Sequence, residues 1–189
     1  MFVSLSKVGA SRTRAAGPGG WLALYEGDLV AARARQEESL ALRRALGDRR
    51  EVAVSLTILG RVAIAEGDVD AAHRLFVQTL PLHQEVGNHW GIALALEGLV
   101  RVCAASDPAR ALGLAGAADA LRVAMRRPLP PVEWPDWQRV LDVARQALDS
   151  RATEAAWEEG RALSPDQAIA RALTPMPTAH LPTLSAALA

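Results

Sequence analysis

The feature that most constrains the fold is a stretch of sequence that recurs after forty residues. The chain reads YEGDLVAARARQ over residues 25–36 and AEGDVDAAHRLF over residues 65–76. The same offset aligns ESLALRRALGDRREVA, residues 38–53, with QTLPLHQEVGNHWGIA, residues 78–93. A fixed period of this size is typical of repeat proteins, in which each unit packs mainly against its neighbours. We therefore expect a repeat array.

Each copy of the repeat has the pattern of two helices separated by short breaks. A first helix over about residues 53–65 is predicted by apolar residues at helical spacing: Leu56, Leu59, Val62 and Ala63. It is expected to end at Gly67, because glycine readily takes the left-handed position after a helix, and Asp68 can cap the next helix. A second helix is predicted over about residues 69–86. Because Ala, Leu, Arg and Glu dominate the composition, we predict an all-α fold.

A third copy follows in degenerate form, and the first copy is incomplete. The third copy repeats the first-helix residues of the second: Leu56, Leu59, Arg61 and Val62 align with Leu96, Leu99, Arg101 and Val102. It then loses one residue, so that SDPARA stands where GDVDAA stands in the second copy. In the first copy, Ala16 and Gly19 stand where large apolar residues belong. We predict about three forty-residue units over residues 20–126.

This pattern resembles the tetratricopeptide repeat family. The residues that match its first helix are Leu56, Leu59, Gly60 and Ala63, and those that match its second helix are Ala72, Phe76 and Thr79. The resemblance implies a solenoid of helical hairpins, in which Gly60 permits close helix approach and Phe76 fills the space between units. Two departures are that Ala63 replaces an aromatic residue and that the period is forty residues rather than about 34.

The two ends of the chain differ from the repeats. Residues 1–19 lack apolar periodicity, and we interpret them as a disordered leader or as the remnant of a truncated array. If they are not native, an exposed apolar edge around Trp21, Leu22 and Leu24 predicts self-association. Residues 174–189 contain three prolines and no charge, which predicts a flexible tail.

A helical cap is predicted over residues 127–173. The stretch RRPLPPVEWPDWQ holds four prolines, which bar a continuous helix. Helices are predicted over residues 136–149 and 153–161, and Ser164 opens a third with a capping box. We expect this cap to close the apolar end of the array, with Trp137 and Trp157 as its anchors.

The C-terminal sequence is similar to the ends of large bacterial regulators, on the strings RALGLAGAADALR and AAWEEGRALSPDQAIARAL. In those proteins, some of them LuxR-type transcription regulators, a signal-transduction ATPase core precedes a helical repeat array. The resemblance implies a non-catalytic protein-interaction or signal-sensing module that forms the C-terminal part of such a regulator. The alternative is a stand-alone peptide-binding receptor or assembly adaptor. The chain holds no GxxxxGK[ST] phosphate loop and no recognisable helix-turn-helix reader, so we expect neither ATPase activity nor direct nucleic-acid binding.

Little in the composition indicates a catalytic, metal or nucleic-acid site. The net charge is zero, and the arginine-rich stretch containing Arg43 and Arg50 is interleaved with acids, so a solvated helix end is expected there. The single cysteine, Cys103, lies in an apolar run and is expected to be a buried thiol. The four histidines are interpreted as solvated and show no metal-ligand spacing. We expect no enzymatic activity, metal or cofactor. With neither a long apolar run nor a secretory signal, we expect a cytoplasmic protein without membrane contact.

The residues most open to a functional interpretation are those that the repeat alignment places on the inner face of the array. They are Thr57, Arg61, Ile64, Glu97, Arg101 and Ala104. Arg61 and Arg101 occupy the same position in consecutive units, so we hypothesise that they hold an acidic or C-terminal peptide of a protein partner. The alternative is that each arginine merely solvates its own helix, or that Arg101 pairs with Glu97 one turn away.

Overall fold

A computed structural model describes residues 22–24 and 26–175 of the chain, and in this part the fold is all-helical, as predicted. The leader, Trp21, His180 and tail residues 176–189 lie outside the described residues. The helices are α1 (Leu29–Ala45), α2 (Arg49–Glu66), α3 (Val69–Glu85), α4 (His89–Cys103), α5 (Pro108–Ala124), α6 (Trp134–Gln146), α7 (Ser150–Arg161) and α8 (Pro165–Leu173). A 3-10 turn, Pro131–Glu133, precedes α6.

The breaks between helices α1 to α4 each contain a glycine, as predicted for Gly67. Gly67 has a φ of 80° in the left-handed region, and Gly27, Gly47 and Gly87 share that conformation at regular spacing along the chain. The residue after each glycine caps the following helix, and its side chain accepts a hydrogen bond from the amide three residues on. Because a glycine and a cap recur at each break from the start of α1 to the start of α4, the forty-residue repeat consists of two helix-and-break halves.

Consecutive helices pack against one another from α1 to α5, and α2 also contacts α4. Phe76 of α3 is fully buried between Gly60 of α2 and Gly98 of α4. A Cβ atom at Gly60 would lie 2.8 Å from the Phe76 ring, and one at Gly98 would lie closer still. Both glycines are therefore needed for the close approach of α2 and α4 to this ring. Phe76 is therefore the ring on which its own unit and the third unit meet.

The helices after α5 pack back onto the array. Helix α7 lies on α5, and α8 contacts α3, α4 and α5. A Cβ atom at Gly160 would collide with the Gly113 carbonyl, and one at Gly116 would collide with the Trp157 carbonyl. Small residues on both helices therefore allow their backbones to touch.

Helix α6 begins at Trp134, two residues before its predicted start, because Pro135 fits the first turn of a helix. The capping box at Ser164 forms as predicted: its hydroxyl accepts from the Gln167 amide, and the Gln167 side chain accepts from the Ser164 amide. Within the described ranges, no helix combines the length and the apolar character that a membrane crossing requires.

Candidate partner-binding site

The six residues of the predicted groove lie on or next to α2 and α4, and they differ in exposure. Thr57, Glu97 and Ala104 are buried, with 2%, 3% and 4% of their surface exposed. Ile64 is half-buried and packs against the main core. Arg61 and Arg101 are half-buried, so the two arginines are the polar members of the set that reach the surface.

Thr57 is buried and takes part in a hydrogen-bond network with His83 of α3. Its Oγ1 lies 2.9 Å from His83 Nε2 and 2.9 Å from the Ala53 carbonyl oxygen, and Asn88 Nδ2 lies 3.1 Å from His83 Nδ1. This network fits a neutral imidazole that donates from Nε2 and accepts at Nδ1. Burial, and to a smaller extent the charge of Arg50, lower the pKa of His83 to about 4. The prediction of a solvated histidine is wrong for His83, which is 1% exposed.

A second polar pair occupies the equivalent place in the third unit. Both nitrogens of one edge of the Arg122 guanidinium donate to the Glu97 carboxylate, with Nη2 2.9 Å from Oε2. Arg122 Nη1 also donates to the carbonyl oxygen of Arg127, at 3.2 Å. Glu97 aligns with Thr57, and Arg122 aligns with His83 once the deleted residue is counted. The alternative pairing of Arg101 with Glu97 forms through the backbone: Arg101 Nη1 donates to the Glu97 carbonyl oxygen at 3.2 Å, while Arg122 binds the Glu97 carboxylate.

Arg43 holds the corresponding position in the first unit, and it is also buried. It forms an ion pair with Glu51 at 2.8 Å and donates from Nη1 to Ser55 Oγ at 2.6 Å. The prediction of a solvated helix end is therefore wrong at this residue, which is 1% exposed. The physical reason is that α1 packs directly on α2, where the ion-pair partner lies.

Arg61 and Arg101 both bind acidic residues of the proline-rich stretch, residues 130–137, which we call the acidic segment. Arg61 Nη2 donates to Glu133 Oε2 at 2.9 Å, and Arg101 Nη2 donates to Asp136 Oδ2 at 3.2 Å. The Arg101 guanidinium also lies over the Trp137 ring, 5.0 Å from its centroid. The acidic segment therefore runs across α2 and α4 and places one carboxylate on each arginine.

The two arginines are close enough to influence each other. Burial, and after it the positive charge of Arg61, lower the pKa of Arg101, while the charge of Asp136 raises it. Arg101 stays protonated at neutral pH because a guanidinium does not deprotonate in proteins. The repulsion between the two guanidinium groups is offset by the two carboxylates of the acidic segment, which lie beside them.

Sequence reasoning identified the arginines but missed the residues that bind them. The available signal was the pair of acids in VEWPDW, three residues apart, in a segment whose prolines keep it from forming one continuous helix with α5. Nothing in the local sequence connects this segment with α2, because Glu133 lies 72 residues from Arg61 along the chain.

Cys103 is buried, and burial raises the pKa of its thiol to about 12, so it is held as an unreactive thiol. Among the described residues, no group of three or more His, Cys, Asp or Glu side chains could hold a metal ion.

Comparisons with protein-family models, with curated protein sequences and with solved structures found no match to this chain.

Proposed function

We propose that this chain is a non-catalytic protein-interaction or signal-sensing module of the tetratricopeptide-like type, which binds an acidic segment of a partner across Arg61 and Arg101. The observation that supports this is the pairing of two equivalent arginines, in consecutive units, with Glu133 and Asp136 of one short segment. A surface that holds two carboxylates three residues apart in cis has the chemistry to hold a similar pair in trans.

In this proposal the acidic segment is the internal competitor of the partner. Two of its residues are exposed, Val132 at 74% and Trp134 at 46%, whereas Glu133 between them is 9% exposed. The Asp136 side chain is 54% exposed, so solvent screens its pairing with Arg101. Trp137, by contrast, is buried in the core and anchors the far end. A partner would thus displace residues 130–136 and leave the anchor in place.

We further propose that the module is the C-terminal part of a bacterial transcriptional regulator or signalling ATPase. The support is the similarity of residues 110–122 and 155–173 to the ends of such proteins. In that setting, exchange of the acidic segment for a partner segment is the event that would report a signal. Catalysis, ATP hydrolysis and DNA binding are not part of the role proposed for this chain.

The test uses the acidic segment itself as the ligand in trans. A fluorescein-labelled peptide PLPPVEWPDWQ, residues 128–138, is titrated with the full chain and followed by fluorescence anisotropy. In the double variant Glu133→Gln/Asp136→Asn the internal competitor is weakened, so we expect the peptide to bind about tenfold more tightly than to the unmodified chain.

The decisive variants remove the arginines in that same background. Arg61→Gln and Arg101→Gln together should abolish the gain in affinity, and a peptide with both acids neutralised should not bind. Arg49→Gln is the matched control, since Arg49 pairs with Glu85 at a separate surface position. Circular dichroism melting verifies that each variant folds. Equal peptide binding with and without the two arginines would reject the proposal.

A further inference from the structure

A cavity of about 350 Å³ lies between α5, the turn at residues 126–129, α6 and α7. Its walls are largely apolar and include three tryptophans: Trp134, Trp137 and Trp157. Leu129 and Leu141 complete the apolar lining. A space of this size with aromatic walls is within the range of small-molecule sites.

The rim of this cavity, which we call the tryptophan cavity, is positively charged. Its lining contains two acids, Glu97 and Asp119, and the following four arginines: Arg122, Arg126, Arg127 and Arg145. Since the net charge of the whole chain is zero, this excess of two positive charges is local. Arg122 is engaged by Glu97, and the Arg127 guanidinium lies 5.3 Å from the centroid of the Trp90 ring. In the part of the chain that the structure describes, the Arg126 side chain has no hydrogen-bond or ion-pair partner.

Arg126 also has an unfavourable backbone conformation. Its φ is 53°, and it is the sole non-glycine residue with positive φ among the described residues. The equivalent positions after earlier helices, such as Gly67 and Gly87, are glycine. An arginine in the left-handed region costs about 1 kcal/mol or more relative to glycine.

We propose that the tryptophan cavity binds a small carboxylate that carries a flat apolar ring system. The rings lie among the tryptophans, where flat aromatic surfaces stack favourably, and the carboxylate lies at the rim beside Arg126. The side chain of Arg126 explains why this position is not glycine: the chain gives up stability to place a guanidinium at the mouth of the cavity. The cavity shares Trp134 and Trp137 with the acidic segment, so its aromatic wall is complete while that segment lies on Arg61 and Arg101.

The probes for the test are 2-naphthoate and its neutral isostere 2-naphthylmethanol, titrated into the full chain and followed by calorimetry and tryptophan fluorescence. We expect 2-naphthoate to bind about tenfold more tightly than the alcohol, which is the contribution of one partly exposed charge-assisted hydrogen bond. Octanoate has the same carboxylate on a flexible chain and should bind more weakly than 2-naphthoate. The Trp134→Ala variant should lose affinity for 2-naphthoate and for 2-naphthylmethanol alike.

Two substitutions of one residue separate binding from folding. Arg126→Gln removes the charge and keeps the strained backbone, whereas Arg126→Gly removes both. We expect each to reduce the preference for 2-naphthoate over the alcohol by about fivefold or more. Arg126→Gly should in addition raise Tm by about 2–4 °C, while Arg126→Gln should leave Tm unchanged. Arg139→Gln, at an exposed residue of α6 outside the cavity lining, is the matched control for charge.

Three outcomes would overturn the proposal. The first is no binding of 2-naphthoate at millimolar concentration. The second is equal affinity of the unmodified chain for the two naphthyl probes. The third is an unchanged preference for 2-naphthoate in both Arg126 variants, which would show that the guanidinium has no part in recognition.

Discussion

Acidification should destabilise this protein through His83, and the size of the effect follows from the pKa. In the folded chain the imidazole is buried and its pKa is about 4, whereas its usual value is 6.5. Because the folded pKa is the lower one, the unfolded chain binds the proton first as the pH falls. The stabilising contribution is therefore complete above about pH 6.5 and is lost as the pH falls towards about 4. The difference between these two pKa values corresponds to a loss of at most about 3 kcal/mol in the free energy of unfolding. About 2–3 kcal/mol of this is lost by pH 4.5.

The assay is urea unfolding at about pH 7 and about pH 4.5, followed by circular dichroism. Carboxylates that titrate in this interval contribute as well, so the matched variant is His83→Gln, which has no imidazole to protonate. We expect this variant to be less stable at neutral pH, because it loses the fit with Thr57 and Asn88. On acidification, the free energy of unfolding of this variant should fall by about 2–3 kcal/mol less than that of the unmodified protein. Equal losses in the two proteins would refute the assignment of a neutral, buried His83.

Two further pairs of substitutions test the interior, one at a close contact with Phe76 and one at the buried ion pair of Glu97 with Arg122. Gly98→Ala should destabilise by about 1–3 kcal/mol despite the better helix propensity of alanine, because the new methyl group meets the fully buried ring of Phe76. In a thermal-melting double-mutant cycle, Phe76→Leu should remove most of that penalty, and independent effects would contradict the close contact. Glu97→Gln should destabilise by about 3 kcal/mol in urea unfolding, because the Arg122 charge is left buried and uncompensated. Adding Arg122→Met should restore stability, and a loss below about 0.5 kcal/mol for Glu97→Gln alone would contradict this reasoning.

The helices and their breaks were predictable because their signals are local. The residues Gly67 and Asp68 act within one or two turns of chain, through a left-handed backbone and a capping hydrogen bond. The same physics placed the capping box at Ser164. The predicted starts were later than the observed ones by two residues at α6, by three at α7 and by about four at α2. At α6 the difference arises because Pro135 can begin a helix as readily as it can interrupt one.

The interior polar residues were harder to predict, because solvation depends on which helix covers a side chain. His83 and Arg43 lie on faces that looked solvated in sequence, yet each is covered by α2. Their equivalence by the forty-residue offset was visible in the sequence, and this shared position was the signal that one environment applied to both. Glu97 and Arg122 extend that pattern, with a charged pair in place of the Thr57 and His83 pair.

The sequence by itself thus determined an all-helical chain with a repeat of helix and break, because helix formation and termination depend on residues within a few positions of one another. The tertiary structure alone decided what lies on Arg61 and Arg101. Their partners Glu133 and Asp136 are brought there by the packing of the C-terminal helices on α5, across 72 and 35 residues of chain. An arginine in sequence carries only a capacity to bind a carboxylate, and the fold determines which carboxylate comes within reach.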